Sequence, residues 1–222
     1  ISQVDEVEEN IAVNTLGTII HETLLELYKP FVGKVLKVED VKGLFVKIEP
    51  EVLNQFKEIY KEGDIQKGRN LLVFVVAKRN IFNFLNVELK GLEEGDEVII
   101  LSLEERFERN FEHPKLPFPV LIGGSVDRIE ERNGRIRIID YKTGKVESAS
   151  VTLKKWNDLT TEIKNDKIIQ ILAYAFMFEK HANGKEMEVG IISFKNLRNG
   201  FLPFKFKEGN ESTTVVDALI LE

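Results

Sequence analysis

Apolar residues near the start of the chain recur close to the 3.6-residue period of an α-helix. The pattern predicts an amphipathic helix over 16–31, with apolar positions at Leu16, Ile19, Ile20, Leu24, Leu27, Tyr28 and Phe31. Pro30 and Gly33 provide the signal that ends it.

Two more helices are predicted in the first half of the chain. One fits 51–62, directly after Pro50, and a longer one fits 65–89, with Asp64 as its N-cap and 91–95 as its exit. No apolar run reaches the roughly 18 residues that a membrane-spanning helix needs, so we expect no membrane partner.

After Gly95 the pattern changes to β-branched residues with partial alternation, which is typical of strands. Strands are predicted over 97–107, 120–132, 135–142, 187–194 and 201–206. A helix is predicted over 166–181, and the polar segment 141–165 is expected to form a mobile loop. The last stretch, 208–222, leaves a final helix and a disordered end equally open. The sequence therefore predicts one α/β domain with a helical subregion.

The dipeptide Asn133-Gly134 signals a two-residue β-hairpin turn, because both central residues of a type I′ turn need a positive φ. Counting outward from this turn pairs Asp127 with Asp140, and opposed residues have Cβ atoms about 4.5–5.5 Å apart. Lys142 lies two positions beyond Asp140 and should point to the same face. The hairpin is therefore expected to gather two acids and one amine.

This trio of side chains has two interpretations. In the first, a surface lysine bridges two acids, an arrangement that contributes little to stability. In the second, the two carboxylates bind a hard cation such as Mg²⁺ and the lysine orients an attacking water. Asp140 follows Ile138 and Ile139 in an apolar strand, and the glycine pair at 123–124 permits close backbone approach before Asp127. These features favour the second interpretation, whose chemistry is phosphodiester hydrolysis.

Four sequence elements together resemble the RecB-like branch of the PD-(D/E)XK nuclease superfamily. The hairpin carries Gly-Ser-Val-Asp-Arg-Ile over 124–129 and Ile-Ile-Asp-Tyr-Lys-Thr-Gly over 138–144. Downstream, Gln-Ile-Leu-Ala-Tyr over 170–174 resembles the Gln-x-x-x-Tyr motif of that branch. Upstream, Gly-Thr-Ile-Ile-His over 17–21 resembles its helical histidine motif. The four elements occur in the order that the family has.

The resemblance implies an α/β fold with a restriction-endonuclease-like core, in which helices flank a mixed central β-sheet and a helical subregion is inserted. We expect one nuclease domain over 1–222, with its helical part at about 11–93 and its catalytic α/β core at about 96–207.

The resemblance also assigns catalytic and metal-binding roles. Asp127 and Asp140 would ligate the metal, the backbone carbonyl of Tyr141 would add a ligand, and Lys142 would position the attacking water. His21 would complete the metal shell. The alternative for His21 is a core histidine, because Leu24, Leu25 and Tyr28 share its helix face.

Supporting residues follow from the same resemblance. Gln170 and Tyr174 lie four apart on one helix face and are expected to position the site or the nucleic-acid strand. The family also carries a Glu on the strand before the hairpin. Glu104 and Glu105 both qualify, adjacent residues point to opposite faces of a strand, and Glu105 has a slight preference.

The composition excludes one cofactor, and the net charge conflicts with the expected binding of DNA. The chain has no Cys, which excludes the iron–sulfur cluster of many RecB-like nucleases and leaves Mg²⁺ or Mn²⁺ as the expected cofactor. The formal net charge of −6 is unusual for a DNA-binding protein. Lysines in the 141–167 region make the charge near the expected site more positive. Trp156 or Phe178 could stack on bases, although core packing is the commoner role of a lone aromatic.

We expect a cytoplasmic protein, because the lack of Cys fits a reducing compartment and no signal-peptide pattern is present. The start at Ile1 favours a fragment of a larger, AddB-like or RecB-like helicase–nuclease, in which helicase domains or a helicase subunit deliver the strand. A stand-alone exonuclease is the alternative.

Taken together, these features predict a Mg²⁺-dependent deoxyribonuclease. We expect an exonuclease that acts on single-stranded DNA ends in recombination or repair. Two rivals stay open. One is a catalytically silent nuclease-like module that binds DNA or acts as a scaffold. The other is a phosphohydrolase of small nucleotides, for which the chain offers no P-loop.

Overall fold

The computed structural model of the chain describes residues 3–59, 68–209 and 211–217, and their side chains from residue 15 onward. The chain divides into two compact units. One comprises Ile1–Phe31 and Leu36–Gly95, and the other comprises Val32–Val35 and Asp96–Glu222. That the two units form one nuclease domain stays a prediction.

The first unit is helical. Its helices are α1 (Gln3–Tyr28), α2 (Val38–Leu44), α3 (Ile48–Ile59) and α4 (Gly68–Glu93), with short 3-10 turns at Lys29–Phe31 and Phe45–Lys47. Helix α1 packs against α3 and α4, and α4 also contacts α2 and α3. Apolar side chains at the predicted helical period are buried, among them Ile20, Leu24, Val52, Phe56, Ile81 and Leu85.

The helical predictions hold in outline and differ at the ends. Helix α1 begins well before residue 16, and α2 was not predicted because it is short and begins after Lys37, which offers no side-chain cap. Helix α3 begins at Ile48, ahead of Pro50, since a proline in the first turn loses no helical hydrogen bond. The predicted N-cap Asp64 lies outside the described residues.

The second unit is built on a mixed five-stranded sheet. Its strands are β1 (Val98–Phe111), β2 (Val120–Arg132), β3 (Arg135–Lys142), β5 (Met187–Ser193) and β6 (Phe201–Pro203), in the order β1-β2-β3-β5-β6. Neighbours are antiparallel except β3 and β5, which are parallel and are joined through helix α6 (Asp166–Phe178). Helix α6 packs on the sheet over β1, β2, β3 and β5. The expected restriction-endonuclease-like α/β core with a mixed sheet is confirmed.

A second, smaller sheet joins β4 (Thr152–Leu153), β7 (Lys205–Glu208) and β8 (Glu211–Thr213). It corrects two predictions. The segment 141–165, expected to be a loop, contains β4 and the short helix α5 (Asp158–Thr161). The strand predicted over 201–206 is divided between two sheets at Phe204, which is fully buried and whose N–H donates to the Val189 carbonyl at 2.7 Å.

Close packing of β5 against β6 depends on one glycine. A Cβ atom at Gly190 would lie 2.2 Å from the carbonyl oxygen of Leu202, a distance that no side chain tolerates. Gly190 therefore allows β6 to complete the sheet beside β5, the parallel neighbour of β3. Among the described helices, none has the length and apolar character needed to cross a membrane.

Candidate active site

The β2–β3 hairpin forms as the sequence predicts. Asn133 and Gly134 have φ values of 53° and 81°, and the strands pair Arg132 with Arg135 on either side of the turn. The paired register continues to Arg128 and Ile139. Beyond this point the Asp127 carboxylate accepts a hydrogen bond from the backbone N–H of Tyr141 at 2.5 Å. A side chain of one strand therefore bonds the main chain of the other, next to the predicted ligand positions.

Asp140 and Lys142 form an ion pair at the end of β3. Asp140 is 2% exposed, and the Lys142 ammonium nitrogen lies 2.9 Å from each of its carboxylate oxygens. Lys142 pairs in register with Ser193 at the carboxyl end of the parallel strands β3 and β5. Ligand sites commonly form at this edge of a parallel pair, since the chain leaves both strands there.

Helix α6 extends this pair into a hydrogen-bond chain. Lys142 donates to the side-chain oxygen of Gln170 at 3.0 Å, and the Gln170 amide donates to the Tyr174 hydroxyl at 2.8 Å. The predicted i, i+4 arrangement of Gln170 and Tyr174 is thus observed. The helix approaches closely, since a Cβ at Gly124 would lie 3.6 Å from the Tyr174 ring.

The electrostatic surroundings keep Tyr174 protonated. Burial raises the pKa of its hydroxyl to about 12, and the negative charge of Asp140 adds to this effect, as do Asp127 and Glu104 more weakly. The hydrogen bond from Gln170 works in the other direction but does not outweigh them. Tyr174 accordingly retains an O–H that can donate to an anionic ligand.

Strand β1 contributes a third carboxylate. The register that pairs Leu103 with Arg128 and Glu105 with Val126 sets Glu104 opposite Asp127. Carboxylate oxygens of Glu104 and Asp127 lie within 4.8 Å of one another. The structure thus brings Glu104 next to Asp127, while Glu105 is exposed and is not part of that group.

Glu104 reaches this position through an unusual backbone conformation, with φ of 47°. A non-glycine residue in the left-handed region costs on the order of 1 kcal/mol, and such residues concentrate at functional sites. The register of β1 against β2 shifts between Ile100 and Ser102, so alternation counted from the start of the strand does not decide between Glu104 and Glu105.

We refer to Glu104, Asp127, Asp140 and Lys142 as the acidic cluster. Its carboxylates are oxygen donors of the kind that Mg²⁺ and Mn²⁺ prefer. Asp140 is nearly inaccessible to water, and the Glu104 and Asp127 carboxylates lie close enough to repel one another. A divalent cation would offset this crowding of negative charge, so the residues present fit the expected metal.

Two other metal-site predictions concern His21 and Tyr141. His21 lies on α1 in the helical unit and is partly exposed, whereas Leu24 and Tyr28 on its face are buried. It is therefore not an enclosed core histidine, and its role as a ligand stays a prediction. The carbonyl of Tyr141 lies on the peptide that follows the N–H held by Asp127, and its role also stays a prediction.

A second charged cluster on the same hairpin was not predicted. Arg128 is fully buried and lies 2.5 Å from a carboxylate oxygen of Glu130, whose other oxygen accepts from Arg132 at 2.8 Å. Arg132 also contacts Asp96 at 2.7 Å. We call these four residues the arginine–glutamate cluster. The sequence signal was the spacing of 128, 130 and 132, which places alternating charges on one face of a strand.

The pKa values in the arginine–glutamate cluster show how well its charges are matched. Burial alone would raise the pKa of Glu130, but Arg128 and Arg132 outweigh burial and lower it to about 2. Burial also opposes ionisation of Asp96, yet hydrogen bonds from Asn133 and Arg132 bring its pKa below the usual value. Each carboxylate is thus held ionised by an arginine beside it.

The chain was compared with known proteins and protein families. The family model described as the PD-(D/E)XK nuclease superfamily matches residues 1–216, nearly the whole chain. A search among curated proteins found no match.

Proposed function

The chain belongs to the PD-(D/E)XK nuclease superfamily, and from this premise we propose that it is a metal-dependent deoxyribonuclease whose acidic cluster hydrolyses phosphodiester bonds. The observation that carries the proposal is the set of contacts around Lys142. Its ammonium is held by Asp140 and Gln170 at the edge of β3, beside the main-chain bond between Asp127 and Tyr141.

Lys142 is the residue that we assign to positioning the attacking water. Its ammonium has three N–H donors, and the bonds to Asp140 and Gln170 fix the nitrogen from two directions. A further N–H can then hold a water oxygen in line with the phosphorus. Attack forms the bond from that oxygen to phosphorus as the bond to the leaving oxygen breaks, and the water loses a proton to solvent while the leaving oxygen takes one up.

Asp127, Asp140 and Glu104 are the carboxylates that we assign to holding the cation, with His21 and the Tyr141 carbonyl as additional ligands. A bound divalent cation would supply positive charge where negative charge develops on the phosphoryl oxygens. Mg²⁺ is our first choice and Mn²⁺ the alternative. In this assignment Glu104 takes the role for which Glu105 had a slight preference on the sequence alone.

We assign Gln170 to positioning the Lys142 ammonium and Tyr174 to positioning the bound strand. Gln170 restrains Lys142 directly and leaves the Tyr174 hydroxyl hydrogen available, because Tyr174 accepts rather than donates in that contact. With its pKa raised, this hydroxyl can donate to a phosphate oxygen of the bound strand without losing its proton at neutral pH.

The finer parts of the proposal concern substrate and context. We propose that the enzyme digests single-stranded DNA ends as an exonuclease in recombination or repair, in the cytoplasm, together with helicase domains or a helicase subunit. The support is the resemblance of the hairpin, Gln-x-x-x-Tyr and histidine motifs to the RecB-like branch.

The test is cleavage of end-labelled single- and double-stranded DNA in Mg²⁺, Mn²⁺ or EDTA. Wild-type protein is compared with Asp140→Asn, and Glu147→Gln serves as a matched control because Glu147 is an exposed carboxylate paired with Lys145. We expect metal-dependent cleavage that falls by at least about a hundredfold in Asp140→Asn alone. Cleavage that survives in Asp140→Asn would exclude this site, and no cleavage by any protein would favour a silent DNA-binding module.

A further inference from the structure

Strand β1 forms one edge of the five-stranded sheet, and in the described part of the chain this edge is only partly covered. At its start, the segment 32–35 forms single bridges to Ile99 and Ile100. Beyond these bridges, β1 pairs only with β2 among the described residues, as far as the end of the strand. The outer backbone groups of 105–111 are therefore open to a further strand. We refer to 105–111 as the free edge.

Open space adjoins the free edge. A cavity of about 910 Å³ is lined by residues 108–113, by Phe176 and Met177, and by the turn that follows helix α6. Its lining takes in consecutive residues of β1, whose side chains point to both faces of the strand, and none of the described residues of β2. The cavity therefore lies on the side of β1 away from β2, where an added strand would run.

The free edge carries its charges in a self-complementary order. Glu105 and Arg106 precede Phe107, and Glu108 and Arg109 follow it. When two such strands pair antiparallel about Phe107, each Glu105 faces Arg109 of the other copy. Each Arg106 then faces Glu108 of the other copy. Opposite charges that face each other across two strands stabilise the pairing.

Other symmetric registers bring like charges together. A symmetric antiparallel pair is centred on one residue that faces its own counterpart, because opposed side chains share one face of the sheet. A centre at any of the four charged positions sets that charge against itself, and a centre at Asn110 sets Glu108 against Glu112. Of the centres from 105 to 110, only Phe107 leaves no like charges opposed.

The side chains of the free edge are already restrained within one chain. Arg106 and Glu108 lie 2.9 Å apart on one face of β1, so the same pair from a second copy would complete a square of alternating charge. On the other face, Arg109 contacts Glu179 at 2.9 Å, and Phe107 packs against helix α6. Pairing would therefore order little that is free beforehand.

Exposed apolar side chains lie at both ends of the free edge. Val32 and Val35 are exposed beside the start of β1, and Leu116 and Phe118 are exposed in the loop that follows its end. Antiparallel pairing brings the end of one β1 next to the start of the other. The apolar loop of each copy would then lie near the exposed valines of the other, which adds buried apolar surface to the strand pairing.

We infer that the free edge of β1 binds a second copy of this chain, with the two Phe107 side chains facing each other across a two-fold axis. The pairing joins the two five-stranded sheets into one. The occupant is a second copy, and not another extended segment, because the order of charges along the strand matches itself in one register. The inference rests on the edge and its charges and does not depend on the proposed function.

The experiment measures the mass of the full chain by sedimentation velocity over a wide range of protein concentrations. We expect the weight-average mass to rise with concentration toward twice that of one chain. Arg106→Glu sets two glutamates against each other at two symmetry-related places, so the dissociation constant of the dimer should rise by about tenfold. Arg106→Glu/Glu108→Arg exchanges the two charges and should return the dissociation constant to within a few-fold of the wild-type value.

Lys145→Glu is the matched control. Lys145 and Glu147 form an exposed pair two residues apart, as Arg106 and Glu108 do, and the change in net charge is the same. The dissociation constant of this variant should equal that of the wild type. Equal weakening in Lys145→Glu and Arg106→Glu would show that overall charge governs association, and it would overturn the pairing of the free edges.

Three further outcomes would overturn the inference. A chain that stays monomeric at every concentration would leave the charges of β1 as a means of preventing strand addition. A dimer that Arg106→Glu does not weaken would place the interface on another surface. A dimer that Arg106→Glu weakens and the exchange of charges does not restore would reject the register centred on Phe107.

Discussion

Two charged clusters lie along the β2–β3 hairpin and differ in how their charges are matched. In the arginine–glutamate cluster, the buried carboxylate of Glu130 and the partly exposed carboxylate of Asp96 each contact an arginine. In the acidic cluster, Lys142 contacts Asp140, while the Asp127 carboxylate takes a backbone N–H and lies near that of Glu104. Strand β2 therefore contributes to both an ion network of opposite charges, through Arg128, Glu130 and Arg132, and a gathering of like charges, through Asp127.

The difference indicates what each cluster is for. Buried charges that satisfy one another need nothing from outside, and removing one partner is costly to the fold. Crowded carboxylates repel one another, and a bound cation would relieve that repulsion. We expect substitutions in the arginine–glutamate cluster to act on stability and substitutions in the acidic cluster to act on cleavage.

The largest expected effect is on cleavage by Lys142→Met. This change keeps the length of the side chain and removes the ammonium that Asp140 and Gln170 hold. We expect the rate of DNA cleavage per folded molecule to fall by about 10²- to 10⁴-fold. The free energy of unfolding should fall as well, because the change removes the Lys142 ammonium from the nearly buried Asp140 carboxylate. Single-turnover cleavage and denaturant unfolding of the same samples measure both.

Lys145→Met is the matched control for that experiment, since Lys145 is an exposed lysine on the next segment and pairs with Glu147. Its cleavage rate should equal that of the wild type. An equal loss in both variants would mean that general positive charge, rather than the position of Lys142, supports the reaction.

The next largest effect is on stability, in Glu130→Gln. The substitution removes the negative charge that pairs with the fully buried Arg128. Breaking a buried pair in this way lowers the free energy of unfolding by about 3–5 kcal/mol. Urea unfolding measures the loss, and the cleavage rate per folded molecule should stay within a few-fold of the wild type.

The pH dependence of the same variant tests the cause. The pKa of Glu130 is lowered to about 2 in the folded protein from an ordinary value of 4.5. A group with a depressed folded pKa contributes stability that is complete above its unfolded pKa and is lost as pH falls toward the folded value. The stability gap between wild type and Glu130→Gln should therefore narrow between about pH 5 and pH 2. A constant gap would point to packing instead of charge.

Much of the fold was predictable because its signals are local. Asn133-Gly134 dictates its own turn, and that turn fixes the register of the hairpin. By contrast, assignment of residues 201–206 to two different sheets depends on which distant strands pair with them. No pattern within the segment records that choice, and the single predicted strand was wrong for that reason.

The site shows the same contrast. Gln170 and Tyr174 were predictable because i, i+4 spacing on a helix places side chains together. The position of Glu104 was not, because a register shift between Ile100 and Ser102 disturbs the alternation on which strand predictions depend. The arginine–glutamate cluster was visible as alternating charges, but its burial depends on packing from elsewhere in the fold.

A divalent cation should stabilise the wild-type protein through the acidic cluster. A ligand that binds only the folded state raises the free energy of unfolding by about 2.7 kcal/mol at a hundred times its dissociation constant. We expect the melting temperature to rise with Mg²⁺ or Mn²⁺ in the wild type and in Glu130→Gln. Asp140→Asn should lose most of the rise. An undiminished rise in Asp140→Asn would place the cation elsewhere.

The smallest expected effect separates two adjacent glutamates. Glu104→Gln changes the carboxylate that lies near Asp127, whereas Glu105→Gln changes an exposed one on the same strand with the same loss of charge. We expect Glu104→Gln to lower cleavage at limiting Mg²⁺ by about tenfold, which corresponds to roughly 1.4 kcal/mol of binding free energy, and excess Mg²⁺ to restore part of the rate. Glu105→Gln should match the wild type at every concentration. The opposite ranking would return the assignment to Glu105, and it would also mean that the unusual backbone of Glu104 serves the shape of β1 and not the acidic cluster.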